Sequence, residues 1–131
     1  MRKTGIMSIV IGLSMYASAS FADSNFQNSC SNLKMAYIRG NAVLEATCLK
    51  ADGSPNFSSI ILVGIANNNG KLTNIGKSPS NFQKSCGNIN IEVVNTQKVN
   101  ITAFCRTQSG SSQNTKISLD GISNKDGNLT Y

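Results

Sequence analysis

The sequence predicts an all-β domain made of two tandem copies of one unit, and three observations predict it. A polar phrase ending in cysteine occurs twice, as SNFQNSC at Ser24–Cys30 and SNFQKSC at Ser80–Cys86, with a single difference. Aligned on the second cysteine of each unit, Thr47–Asn74 lies on Phe104–Tyr131 without a gap, and 11 of the 28 columns are identical. Apolar residues recur every second position between short polar or glycine-bearing stretches, the period of a strand with one buried face. Two copies with a period above fifty residues do not make a solenoid, which needs about three repeats to bury its faces. A single pseudo-symmetric domain follows, with repeat 1 over about residues 24–74 and repeat 2 over about residues 80–131.

In chain order, Arg2 and Lys3 precede an uncharged run from Ile6 to Ala19, closed by Ser20, Phe21 and Ala22. This is the pattern of a secretory signal peptide. It is too short and too interrupted by Ser14 and Ser18 for a membrane span of about 20 apolar residues. Cleavage after Ala22 is expected, leaving a domain over residues 23–131 with no membrane span. Export places the chain in the periplasm or outside the cell, the leader being of bacterial type. All four cysteines, Cys30, Cys48, Cys86 and Cys105, lie in the exported part, where disulfides form. Four cysteines allow three pairings. A duplicated unit carries its own bridge, which selects Cys30–Cys48 and Cys86–Cys105. Zinc is the competing use of cysteine, and it fails: no CxxC pair is present and the chain has no histidine. No cofactor is expected.

The first strands of each unit alternate as Leu33, Met35, Tyr37 and Ile89, Ile91, Val93; the second as Ala42, Leu44, Ala46, Cys48 and Val99, Ile101, Ala103, Cys105. Asn100, Thr102 and Phe104 take the opposite face. The intervening Arg39–Asn41 and Asn95–Lys98 make each pair a hairpin. A second, shorter hairpin follows in each unit, SIILV or KISLD leading through NNNG or NKDG into KLTN or NLTY. Asn-Gly and Asp-Gly suit tight hairpin turns, whose two central residues both take positive φ. Only Asn25–Ser29 could form a helical turn, and Asn74–Ser80 reads as the connector.

Composition narrows the function. Losing the leader's two basic residues lowers the formal charge from +6 to +4, and the remaining Lys and Arg are scattered, without the basic stripe of a nucleic-acid binder. No nucleic-acid partner is expected. The mature part has six acids, Asp23, Glu45, Asp52, Glu92, Asp120 and Asp126. A glycosidase needs two cooperating carboxylates; Glu45 and Asp120 are the pair to weigh, and nothing in their sequence setting tunes acidity. An enzyme is not expected. The sequons at Asn56, Asn100 and Asn128 matter only in a glycosylating host.

The two SNFQxSC phrases, the SSI and TKI strands and the closing NKDGNLTY resemble the cyanovirin-N homology family of small lectins across nearly the whole mature chain. The resemblance implies the same two disulfides. It also implies two quasi-symmetric halves, each a three-stranded sheet plus a β-hairpin, with strands exchanged between repeats. It implies a lectin for mannose-rich oligosaccharides or glycoproteins, chiefly terminal α(1→2)-linked mannose, bound without metal. One pocket would then combine Asn25, Asn28 and Ser29 with Leu49 to Ala51 and with Asn124, Lys125 and Asp126. Its partner would combine Asn67, Asn68 and Asn69 with Ser80, Asn81, Lys84 and Ser85, and with Arg106, Thr107 and Gln108. Amides, hydroxyls and backbone groups supply both the donors and the acceptors that vicinal sugar hydroxyls require.

Departures from the family pattern are specific. Leu49 stands where better-known members carry an acid and Ala51 where they carry a hydroxyl residue, Asn69 replaces a turn acid, and Lys84 replaces an acid of the phrase. The hairpin between the cysteines is longer, and the segment before each NxxG turn is one residue shorter. The contrasting expectation is a secreted, disulfide-stapled β module that binds a protein partner and no sugar. A monomer is expected, with a domain-swapped dimer as the other arrangement that a connector carrying Pro79 permits.

Overall fold

The computed structural model describes residues 24–131, so the leader expected over residues 1–22 lies outside the described residues. Among the described residues, ten strands run in order: β1 (Cys30–Ile38), β2 (Asn41–Leu49), β3 (Pro55–Ile61), β4 (Val63–Asn68), β5 (Lys71–Pro79), β6 (Cys86–Val93), β7 (Val99–Arg106), β8 (Ser112–Ser118), β9 (Ser123–Lys125) and β10 (Asn128–Thr130). Single 3-10 turns at Phe26–Asn28 and Phe82–Lys84 open the repeats. No described helix is long and apolar enough to cross a membrane.

Strands β1-β2-β3 and β6-β7-β8 form two antiparallel three-stranded sheets, and β4-β5 and β9-β10 form two hairpins. Each hairpin packs on the sheet of the other repeat, β10 beside β3 and β5 beside β8. The first half is therefore β1–β3 with β9–β10, and the second is β6–β8 with β4–β5. The exchange of strands that the family resemblance implies is present.

Two expectations about element boundaries change. The run SIILV does not form one arm of the second hairpin. Ile61 ends β3 opposite Val43, while Val63 begins β4 opposite Pro79. Between them Leu62 is fully buried and its N–H donates to the Ala42 carbonyl at 2.9 Å, so one anchored residue passes the chain from sheet to hairpin. Leu119 does the same between β8 and β9, donating to the Val99 carbonyl at 2.8 Å. The stretch Asn74–Ser80 is not a free connector either, because β5 continues through it to Pro79. Gly64, at φ +79°, permits this: a Cβ there would lie 2.2 Å from the Gly76 carbonyl oxygen, so only glycine lets the strands approach.

Turn chemistry follows the sequence. Arg39–Gly40, Asn69–Gly70 and Asp126–Gly127 all take positive φ at both residues, as tight hairpin turns require. Asn32 and Asn88, two residues after the first cysteine of each repeat, are left-handed (φ +55° and +52°) where the β1–β2 and β6–β7 registers slip. Such bulges add an unpaired residue and bend the strand.

Phe26, Phe82, Leu44, Leu62, Ile101 and Ile122 are fully buried in one core that both halves share. Apart from Val43, which is buried on the other face, the inward alternation of β2 and β7 is as expected, with Phe104 on the outer face. Asn100 departs from it. Predicted on the open face, it is 6% exposed, and its amide donates to Glu92 on the neighbouring strand at 3.1 Å. Disulfides Cys30–Cys48 and Cys86–Cys105 join residues directly opposite across β1–β2 and β6–β7. Each closes a loop of 18 or 19 residues, and chain-entropy reasoning gives about 3 kcal/mol for a loop of that size.

Candidate functional site

The duplicated phrase is mostly architecture. Its first serine is buried in both copies. Ser24 donates to the Leu119 carbonyl and accepts from the Ile122 N–H at 3.1 Å, both in repeat 2. Ser80 accepts from the Ile65 N–H of repeat 1 at 2.9 Å. At 3% exposure Ser80 cannot line an open pocket, which corrects its assignment there. Phe26 and Phe82 fill the core. The Gln27 amide donates to the carbonyls of Ser24 and Asn95, and the Gln83 amide to those of Ser80 and Gly40, so each clamps a turn of the other repeat. The Asn28 amide is spent in the same way, on the Thr96 carbonyl at 2.9 Å. Asn25 and Asn81 stay exposed.

The last serine of each phrase meets the exchanged hairpin in a knot that is built twice. In the first half, the Asn124 amide donates to Ser29 Oγ at 2.8 Å and to the Leu49 carbonyl at 2.9 Å, and its oxygen accepts from the Gly127 N–H at 2.8 Å. Two residues on, Asp126 Oδ1 accepts from the Ala51 N–H at 2.8 Å. In the second half, the Asn67 amide donates to Ser85 Oγ and to the Arg106 carbonyl, both at 2.9 Å, and its oxygen accepts from the Gly70 N–H at 2.7 Å. Asn69 Oδ1 then accepts from the Gln108 N–H at 2.9 Å. Asn56 to the Gly127 carbonyl and Gln113 to the Gly70 carbonyl complete the pairing at 2.8 and 3.1 Å.

The fold thus brings together Ser29, Leu49, Ala51, Asn124 and Asp126 on one side, and Ser85, Arg106, Gln108, Asn67 and Asn69 on the other. Leu49 and Ala51 contribute backbone groups, so the loss of polar side chains there leaves the knot intact. Lys125 and Lys84 are exposed beside the knots. In the second half an open polar cleft of about 740 Å³ lies beside the turn. Asn68, Asn69, Thr107 and Gln108, which the resemblance named, lie in its lining, together with Lys71, Ser109, Ser111 and Gln113. Of these, Lys71, Ser109, Ser111 and Gln113 were missed, although the repeat alignment places Ser109 and Ser111 opposite Asp52 and Ser54. Thr107 Oγ1 shares hydrogen bonds of 2.9 Å with the Ser109 and Ser111 hydroxyls, giving a rim of rotatable hydroxyls.

The two sites differ in charge. Around the first stand Lys50, Lys125, Asp52 and Asp126, which balance. The Asp52 carboxylate is held below its ordinary pKa by hydrogen bonds from the Ser54 hydroxyl and N–H at 2.6 and 2.9 Å. Their counterparts in the second are Thr107, Asn68, Ser109 and Asn69, all neutral. Glu45 and Asp120, the acids weighed as a catalytic pair, are each otherwise engaged. Glu45 pairs with Lys34 at 3.8 Å, and Asp120 accepts from the Ser118 hydroxyl. Among the described residues, no group of three His, Cys, Asp or Glu side chains could hold a metal ion.

A sequence model of the CVNH domain matches residues 20–130. Among solved structures, a microvirin–mannobiose complex is 30% identical, with a TM-score of 0.59, 82% of this chain and 97% of that chain being covered. TbCVNH of T. borchii is 28% identical, with a TM-score of 0.63 over 82% of this chain and 98% of its own. GzCVNH of Gibberella zeae, 24% identical with a TM-score of 0.59, shares the fold over 82% and 96% of the two chains.

Proposed function

The chain belongs to the CVNH domain family, and from that premise we propose that it is an exported lectin. It recognises mannose-rich glycans, terminal α(1→2)-linked mannose above all, through two polar sites that need no metal. The observation that carries this reading is the knot built twice. Each copy anchors an NxxG turn beside the loop that follows a disulfide, and in the second half that turn borders an open cleft of amides and hydroxyls. Such a surface offers a sugar donors and acceptors at fixed positions, and pre-organisation lowers the ordering cost of binding. The similarity to microvirin, solved with mannobiose, supports the sugar class. Carbohydrate binding, not catalysis, is the activity of the family. Two disulfides and the leader pattern support action in an oxidising compartment outside the cytoplasm. The protein acts as a monomer carrying both sites.

Hydrogen bonds to a charged group contribute about 1.5–3 kcal/mol, so Asp126 is the strongest single contact of the first site. Titration with α(1→2)-mannobiose, with and without chelator, tests the reading. Binding should survive chelator and fall roughly tenfold or more in Asp126→Asn, a loss of about 1.4 kcal/mol. Absence of binding to mannobiose and to larger mannose-rich glycans would refute it.

A further inference from the structure

We propose that the second site, the cleft beside the Asn67–Gly70 turn, prefers a mannose-type saccharide bearing acidic groups, a carboxylate or a sulfate, while the first prefers a neutral mannose-rich one. This rests on the lectin reading above and assigns the ligand class of one of its sites. The two sites share one hydrogen-bond plan, so their backbones alone would not distinguish ligands. Their charges would. Lys71 lines the second cleft. Arg106 lends its carbonyl to the Asn67 amide, and Lys84 adjoins Ser85, whose hydroxyl receives the same amide. At the matching positions of the first site stand Asn128, Leu49 and Asn28. The reverse holds for acids: Asp52 and Asp126 of the first site face Ser109 and Asn69 in the second.

The lining of the second cleft therefore carries one cation, Lys71, and no acid, and the chain places Arg106 and Lys84 next to its knot, where the first site has two charges of each sign. None of the three cations is neutralised within the molecule, since Lys34–Glu45 is the one ion pair within 4.0 Å among the described residues. Charges so grouped raise the local concentration of an anion, with a range of about 8 Å at physiological salt. The cleft, about 740 Å³ and open, falls in the size range of small-ligand sites. Its hydroxyls and amides supply the sugar contacts, and the cations supply the choice.

The test is amide-resolved NMR titration of the full chain with three probes: α(1→2)-mannobiose, a dimannuronate and a sulfated mannobiose. Either acidic probe should move the Gly70, Thr107 and Gln108 amides, and mannobiose those of Ala51 and Gly127. Raising NaCl from about 50 to about 500 mM should weaken the acidic probe roughly tenfold through screening. The triple variant Lys71→Asn, Lys84→Asn, Arg106→Leu, which transplants the first site's residues, should lose a similar factor while mannobiose binding at the first site persists. Acidic probes that leave the second site untouched, or bind the triple variant as tightly as the native chain, would overturn the proposal. If mannobiose still moves the first site in that case, the lectin reading stands; if no probe moves either site, both fall.

Discussion

Replacing Asn67 with alanine should destabilise the protein by about 2–3 kcal/mol, since its side chain makes three of the hydrogen bonds that fasten the β4–β5 hairpin and its turn beside the second sheet. Three hydrogen bonds vanish: to Ser85 Oγ and the Arg106 carbonyl at 2.9 Å, and from the Gly70 N–H at 2.7 Å. At about 0.5–1.5 kcal/mol net each they total roughly 1.5–4.5 kcal/mol. The bond to Arg106 is solvent-exposed and lies at the low end, whereas Gly70 is buried and its N–H is left without a partner. That loss is a large share of the 5–15 kcal/mol typical of a domain. Urea denaturation followed by circular dichroism should show the midpoint falling by about 1–2 M at unchanged slope. Asn124→Ala should cost a similar amount through the equivalent bonds at 2.8–2.9 Å. The two knots share no partner, so the double variant should be additive within about 0.5 kcal/mol. A loss below about 0.5 kcal/mol for Asn67→Ala would refute the claim that the knot fastens the exchanged hairpin. Glycan titrations of these variants should therefore be read only where the chain is shown to be folded.

Gly64→Ala should cost roughly 3 kcal/mol or more, whereas Gly121→Ala should cost only about 1–2 kcal/mol for left-handed backbone. Both sit near φ +80°, but a Cβ at Gly64 meets the Gly76 carbonyl at 2.2 Å and one at Gly121 meets only Tyr131 Cδ1 at 3.8 Å; melting temperatures of the pair decide it. Partial burial raises the phenol pKa of Tyr131, against a smaller lowering by the Val63 N–H, and partial burial raises that of Tyr37, although both side chains stay about half exposed and the effect on stability is correspondingly small. The folded state then holds these protons more tightly than the unfolded, so their contribution is complete below the unfolded pKa of about 10 and is lost as pH rises through the folded values. Stability should fall above about pH 10, and Tyr131→Phe should reduce the slope of that fall.

Particular residues show how far the sequence can be read. The doubled phrase and the 11 shared columns carried the two-unit architecture and the disulfide pairing, because an internal copy acts as its own alignment. Alternation placed Leu44, Ile101 and their neighbours in the core. Boundaries were less legible: nothing in SIILV marks Leu62 as the residue where the chain changes sheets, since a buried leucine looks the same in a strand or between two. Asn74–Ser80 reads as a linker from its Gly, Ser and Pro, yet Gly64 lets it pair as strand. Ser80 looked like a surface polar residue because its hydrogen-bond partner, Ile65, belongs to the other repeat.

Local chemistry written along the chain determined the strands, the left-handed turns at Asn69–Gly70 and Asp126–Gly127, and the cysteine pairs, since each depends on residues close in sequence or repeated within it. The tertiary structure alone decided which polar residues fasten the fold and which face solvent. Asn124 lies 95 positions from Ser29 and Asn67 lies 39 from Arg106, and whether an amide is spent or free depends on partners that only the crossing of hairpins between repeats brings within hydrogen-bond reach.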